Sequence, residues 1–490
     1  MSTTTFFSAD EVSLERKADA DVETCVRTAD GDINKVYEVN KCIQWIQERN
    51  LQRVALQFPD ELMCDAVPVT SAISKAVDGQ VFILGDTSYG SCCVDEVAAQ
   101  HYNADGLIHF GRSCLSTTQR LPILYVFGQS SISVADCEGK FRELFPDTAN
   151  PIVLLYETGY SHAIDKIKEA LEGDYQKLVV SVLDIPNHCR TDLQGQGDCT
   201  TCKRQGFKVT KCGRTFWLPE EGTLSNYSMF YIGCESLTLT NLMMTFNTNQ
   251  FYSYNPLTQT GRKESVNINR KLMKRFYMIE KAKDAHILGI VVGTLGITDY
   301  LQVIIRLKDM VKKSGKKSYT FVVGKLNPAK LANFMEIDVF VLVACAENSL
   351  LDSSDFYKPI VTPYELEIAC NTDREWTADY VTDFRSLLPG GEDHVAIPVT
   401  LAVQTDVSLV TGKLRTIGVT EDIDVTSTAM LPRNQNMAVS EVPADTAGEY
   451  LASRSWRGLE QQLGETEVTK ALEGQKGIAA GYTNELDTGS

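Results

Sequence analysis

A chain of 490 residues with 43% hydrophobic and 23% charged residues is too long for one ordinary core and too apolar for a disordered one; it reads as two to four globular domains. No apolar run approaches the roughly 18 to 20 residues that cross a bilayer. The net charge of −17 speaks against nucleic-acid binding, which needs clustered Lys and Arg, and suits solubility or docking on a basic protein surface.

Residues 1–35 are polar and acidic without sustained periodicity and read as a flexible lead-in; they lack the basic and apolar regions of a secretory leader, so the protein is expected to be cytoplasmic. Strand-like and helix-like segments then alternate, the pattern of parallel sheets flanked by helices. The first unit, 36–150, holds a helix over 36–50 with Val39, Ile43 and Ile46 on one face, then strands at 53–57, 80–84, 106–110 and 123–127. The second, 151–285, opens on a strand at 151–156, continues with a helix over 161–172 and a strand at 178–183, and adds strands at 229–233 and 251–254. Within it, residues 186–222 form a Gly- and Cys-bearing stretch that reads as a long loop. The basic amphipathic run 267–285 leads to a third unit, 286–395, with strands at 286–293, 318–323, 338–344 and 359–361. Three units of similar size and alternation point to a triplicated α/β module. From 396 to 490 Ser, Thr, Asp, Glu and Ala dominate; this part reads as linker and C-terminal tail, and Trp456 with its neighbouring glycines reads as a docking element.

Fourteen cysteines in a cytosolic chain are buried thiols, reactive thiols or metal ligands rather than disulfides. Cys42, Cys64, Cys137 and Cys370 lie in apolar stretches and read as core. Three others sit just past strand ends, where α/β folds place ligands: Cys92 after the strand at 81–84, Cys114 after 107–110, and Cys345 after 339–343. Glycines before the first two thiols allow tight turns, and thiolates from separate loops meeting at one point are what an iron–sulfur cluster requires. Three ligands on a four-iron cluster would leave one iron open. Cys189, Cys199, Cys202 and Cys212, spaced C-x(9)-C-x-x-C-x(9)-C, offer a separate small zinc site, plain thiols or a redox or cluster role, with Cys212 the one to test as a cluster ligand. His109 reads as a core histidine or a pocket residue, Arg112 as an ion pair or a carboxylate receptor, and Asp86 and Asp95 as turn and capping residues.

The strings Gly85-Asp86-Thr87-Ser88-Tyr89-Gly90-Ser91-Cys92-Cys93-Val94-Asp95-Glu96 and Leu107-Ile108-His109-Phe110-Gly111-Arg112-Ser113-Cys114-Leu115-Ser116 resemble the first-domain signature of the diphthamide synthesis proteins. Asn327-Pro328-Ala329-Lys330-Leu331-Ala332-Asn333-Phe334, Val343-Ala344-Cys345 and the stretch from Pro359 to Glu365 continue the resemblance, which covers about 35–400 and includes Ser455-Trp456-Arg457-Gly458-Leu459. It implies three Rossmann-like parallel-sheet domains in pseudo-threefold arrangement around a [4Fe-4S] cluster. It also implies transfer of a 3-amino-3-carboxypropyl group from S-adenosylmethionine to a histidine of elongation factor 2. This is radical chemistry without the common C-x-x-x-C-x-x-C motif, which the chain lacks.

Of the family's two eukaryotic paralogues, the chain resembles the subunit-2 type. The catalytic type draws one cysteine from each domain, and the second domain here is read as lacking a plain equivalent, offering Lys211-Cys212-Gly213 instead. The resemblance implies an accessory subunit, not catalytic alone, that forms a heterodimer with its catalytic paralogue and relays electrons from a reductase or other donor protein to the partner's cluster. The metal ligands are then drawn from Cys92, Cys93, Cys114 and Cys345. Successive side chains of an extended segment point opposite ways, so only one of Cys92 and Cys93 is expected to reach the cluster; the family's Tyr-Gly-x-Cys string favours Cys92. Alternatives are a self-sufficient homodimeric transferase and a cluster-bearing dehydratase of the quinolinate-synthase type.

Overall fold

The computed structural model describes residues 27–29, 31–85, 89–185, 206–219, 224–351, 355–377, 379–398, 404–412 and 414–417, to which all statements below refer. Cys189, Cys199, Cys202, Asp86 and the tail around Trp456 lie outside them.

The first sheet is made of β1 (Arg53–Gln57), β2 (Gln80–Leu84), β3 (Gly106–Phe110) and β4 (Ile123–Val126), all parallel, in the order β2-β1-β3-β4. Side-chain alternation gives it two cores. Val54, Leu56, Ile108 and Phe110 pack with Trp45, Val69 and Ile73 of the helices Val39–Glu48 and Ala66–Ser74, while Ala55, Leu107 and Ile123 pack with Val94 and Ala99 on the opposite face. Both faces being covered explains why β3 reads as a continuous apolar run rather than an alternating one.

The second sheet uses β5 (Ile152–Tyr156) and β6 (Leu178–Val180). A small antiparallel sheet of β7 (Val182–Leu183), β8 (Phe207–Lys211) and β9 (Arg214–Leu218) interrupts it, and it resumes with β10 (Ser228–Ile232), β11 (Phe251–Asn255) and β12 (Thr260–Lys263). Its order, β6-β5-β10-β11-β12, repeats the second-first-third-fourth pattern and adds one antiparallel edge strand. The third sheet, β13 (Ile287–Val292), β14 (Lys317–Val322), β15 (Val339–Val343) and β16 (Ile360–Val361), has the order β14-β13-β15-β16 and is again parallel. The molecule is therefore a mixed α/β protein with several parallel sheets sharing one strand order, the topological echo of the similar alternation seen along the chain.

Three expectations change. The stretch read as a loop over 186–222 contains the β8–β9 hairpin; its turn needs positive φ at Cys212 (52°) and Gly213 (67°), which the Lys-Cys-Gly string did not advertise as a hairpin signal. The strand expected over 178–183 is two strands, because Ser181 donates its N–H to Leu154 O and the chain then leaves the sheet to pair with β9. Residues assigned to a linker from 396 include a further hairpin, β17 (Gln404–Val407) and β18 (Leu414–Ile417). Arg415 holds it by bonding Glu280 and Asp284 of the helix Ser265–Asp284, each at 2.9 Å. That helix also carries Arg275, whose guanidinium grips Glu365 with two bonds of 2.6 and 2.9 Å. Glu365 in turn completes the Thr362 capping box of the fully buried helix Pro363–Cys370.

Candidate metal centre

Each sheet's chain reversal lies between its first and third strands, and crevices at the carboxyl ends there are where open α/β sheets bind ligands. The loops after β2, β3 and β15 converge at such ends and bring four sulfurs together. Those of Cys92, Cys93, Cys114 and Cys345 all lie within 4.8 Å of one another. Cys92 Sγ is 3.8 Å from Cys345 Sγ, and Cys93 Sγ is 3.8 Å from Cys114 Sγ. Cys92, Cys93 and Cys345 are buried; Cys114 is partly so. The group is continuous with the apolar core of the third sheet.

Both Cys92 and Cys93 face the group, against the expectation that one would turn away. The segment is a turn rather than extended chain: Cys93 N–H donates to Gly90 O at 2.9 Å, so the alternation of a strand does not apply. Gln57, wholly buried at the end of β1, fastens this turn. Its Nε2 donates to Cys93 O at 2.8 Å and its Oε1 accepts from Asp95 N–H at 2.9 Å. Asp95 caps the helix Glu96–His101 by accepting from Ala98 N–H. The Cys114 loop is tied to the same place by Cys114 N–H donating to Cys92 O at 3.1 Å. Gly111 (φ 84°) makes the sharp exit from β3, where a Cβ would come 3.0 Å from Pro59. His109 is a core residue whose Nε2 is 3.1 Å from Arg112 O across this turn. Arg112 lies 4.0 Å from buried Glu347, an internal carboxylate. Glu347 also accepts from Thr238 at 2.8 Å, and burial, opposed by Arg112, pushes its carboxyl up to about 7.

Four thiols this close titrate as a unit. Hydrogen bonds from Cys345, Cys92 and Cys93 hold the Cys114 thiol well below its ordinary range, while hydrogen bonding with Cys114 holds Cys93 and Cys345 well above theirs. A metal bound by these sulfurs takes the place of the thiol protons. The donor set of four sulfurs with no imidazole or carboxylate suits iron–sulfur, zinc or copper(I) rather than hard cations.

Cys212 stands apart: its thiol lies 3.2 Å from Thr245 Oγ1, and burial pushes it up. Sequence reasoning missed Cys234. The second sheet does have a Gly-Cys after its third strand, Gly233-Cys234 behind β10, at the place Cys114 and Cys345 hold in the other sheets. The signal was present in the sequence. Yet Cys234 Sγ lies 3.6 Å from Asn255 Oδ1 and 3.9 Å from the Tyr160 hydroxyl, outside the four-sulfur group.

The sequence pattern of the diphthamide synthesis proteins matches residues 58–381. A zebrafish (Danio rerio) protein named 2-(3-amino-3-carboxypropyl)histidine synthase subunit 2 is 49% identical, covering 99% of this chain and 98% of its own. A protein of the same name from Schizosaccharomyces pombe is 38% identical over 93% and 92% of the two chains. Among solved structures, Dph2 from Pyrococcus horikoshii, crystallised with a 4Fe-4S cluster, superposes with a TM-score of 0.52 at 20% identity, covering 70% of this chain and 93% of that one. No helix among the described residues is long and apolar enough to cross a membrane. With a pattern match spanning most of the ordered sheets and relatives aligned end to end, the chain belongs to the diphthamide synthesis protein family.

Proposed function

We propose that this chain is the iron–sulfur subunit of a cytoplasmic heterodimer for the first step of diphthamide formation. The complex transfers the 3-amino-3-carboxypropyl group of S-adenosylmethionine to a histidine of elongation factor 2. The sheets form three Rossmann-like modules around the cluster, and this chain relays electrons from a donor protein to the catalytic paralogue. A bound cluster supplies reversible one-electron storage.

The observation that carries the reading is the convergence of four thiols, three buried and one partly buried, from three loops within 4.8 Å, with no other donor in the group. Cys92, Cys114 and Cys345 supply one sulfur per loop, and Cys93 brings a second from the first loop. The relatives' shared name, subunit 2, supports placement in a multi-subunit synthase. Cys234, held by Tyr160 and Asn255, supports assigning catalysis to the partner, because the second sheet's cysteine does not join the group. Family membership leaves the dehydratase alternative without support. A second reading is a single tetrahedral ion, favoured by the 3.8 Å sulfur spacings, which match the edge of a tetrahedron with metal–sulfur bonds of about 2.3 Å.

The test is turnover with S-adenosylmethionine, a reductant and elongation factor 2, using the chain alone and with its paralogue. Turnover only in the mixture supports the subunit role; full turnover by the chain alone overturns it in favour of a self-sufficient homodimer.

A further inference from the structure

We infer that Asn348 tunes the electron affinity of the sulfur site, and that residue 90 is glycine so that the Asn348 amide can reach the sulfurs. The inference rests on the reading that these thiols hold an iron–sulfur cluster. Asn348 begins a short 3-10 turn just past Cys345, and it meets three of the four sulfurs. Its backbone N–H donates to Cys345 Sγ at 3.3 Å. Its side-chain Nδ2 lies 3.6 Å from Cys92 Sγ and 3.8 Å from Cys93 Sγ, bridging the loop after β15 to the loop after β2. The amide approaches through the space a side chain at position 90 would fill: a Cβ on Gly90 would stand 1.9 Å from Asn348 Nδ2 and 2.8 Å from Cγ. Gly90 itself needs no left-handed backbone, since its φ is not among the positive ones. Glycine is required there by the neighbour rather than by the turn.

The physical consequence follows from charge. Reduction adds one negative charge to a centre already surrounded by thiolates, and N–H donors aimed at those sulfurs stabilise that added charge. A neutral amide offers donors at no cost in net charge. A carboxylate of the same shape offers acceptors and a negative charge. Asn348 is therefore a positioning residue whose loss makes the site harder to reduce without removing any ligand.

The experiment uses the full chain purified anaerobically, with iron and sulfide assayed in parallel with an EPR-monitored potentiometric titration. Asn348→Ser keeps the backbone donor and replaces the side-chain amide by a shorter hydroxyl; Asn348→Asp puts a carboxylate where the amide donors stood; Gly90→Ala pushes the amide aside, its Cβ meeting Asn348 first. The expected result is unchanged iron and sulfide, with midpoints more negative in all three variants and lowest in Asn348→Asp. The double variant Gly90→Ala/Asn348→Ser should shift no further than Asn348→Ser alone, because both act on one amide. Midpoints equal to that of the parent overturn the inference. So does loss of the cluster in both Asn348 variants, which would make the residue a structural support. A parent chain without iron and sulfide would overturn the cluster reading itself.

Discussion

Replacing Arg275 by Met isolates the ion pair that ties the long helix Ser265–Asp284 to the buried helix Pro363–Cys370. The guanidinium and the Glu365 carboxylate are both buried, with side-chain exposures of 9% and 0%, and they form a two-bond fork. Methionine fills the apolar volume but leaves a carboxylate with no cation. Breaking one side of a buried pair costs about 3 to 5 kcal/mol. Glu365 keeps two neutral donors, Tyr380 Oη at 2.9 Å and Thr362 N–H at 2.8 Å, so the loss should fall at the lower end, about 3 kcal/mol. The double variant Arg275→Met/Glu365→Gln removes the stranded charge and should recover most of that loss. The assay is the urea midpoint of the full chain followed by fluorescence and circular dichroism. A single variant within about 1 kcal/mol of the parent, or a double variant no better than the single, would refute the reasoning, since a screened pair is worth that little.

Cys92→Ser and Cys93→Ser, made separately, should each lower the iron retained after anaerobic purification, whereas Cys212→Ser and Cys234→Ser should leave it unchanged; retention by either of the first two identifies the thiol that is not a ligand. Gln57→Leu strands the buried Cys93 carbonyl and Asp95 amide, each left-over group costing about 1 to 3 kcal/mol, and should speed iron loss to a chelator as well as lower the melting temperature. Burial pushes the Cys42 and Cys137 thiols up to about 12 from an ordinary 9. Their folded pKa being raised, the stability they contribute is complete below pH 9 and is lost as pH rises toward 12. At pH 10.5 the loss is about 2 kcal/mol per thiol; a Cys42→Ala/Cys137→Ala variant should show a flatter decline of melting temperature over that range.

Much of this architecture was legible because parallel strands covered on both faces are near-continuous apolar runs, as at Ile152–Tyr156 and Val339–Val343. The hairpins were not, because β8 is largely exposed and the two turns carry their positive φ at Cys212 and Gly412, without an Asn-Gly or Asp-Gly signal. Within the site, strand-end position located Cys92, Cys114 and Cys345. The orientation of Cys93 was hidden because it depends on a turn closed by Gly90 and fastened by Gln57, a partner 36 residues away. Asn348 was invisible for the same reason: its role depends on the space left above Gly90, far along the chain. Cys234 shows the reverse. Its Gly-Cys string was readable, but only the packing of Tyr160 and Asn255 reveals that its sulfur is engaged elsewhere.

The account turns on what the four converging sulfurs hold. Iron, acid-labile sulfide and zinc should be measured on the anaerobically purified full chain, with Mössbauer spectra of the iron-57-enriched protein. About four iron and four sulfide per chain, with the spectrum of a cubane cluster, is the predicted result. One metal ion per chain without sulfide, or no metal at all, would contradict it.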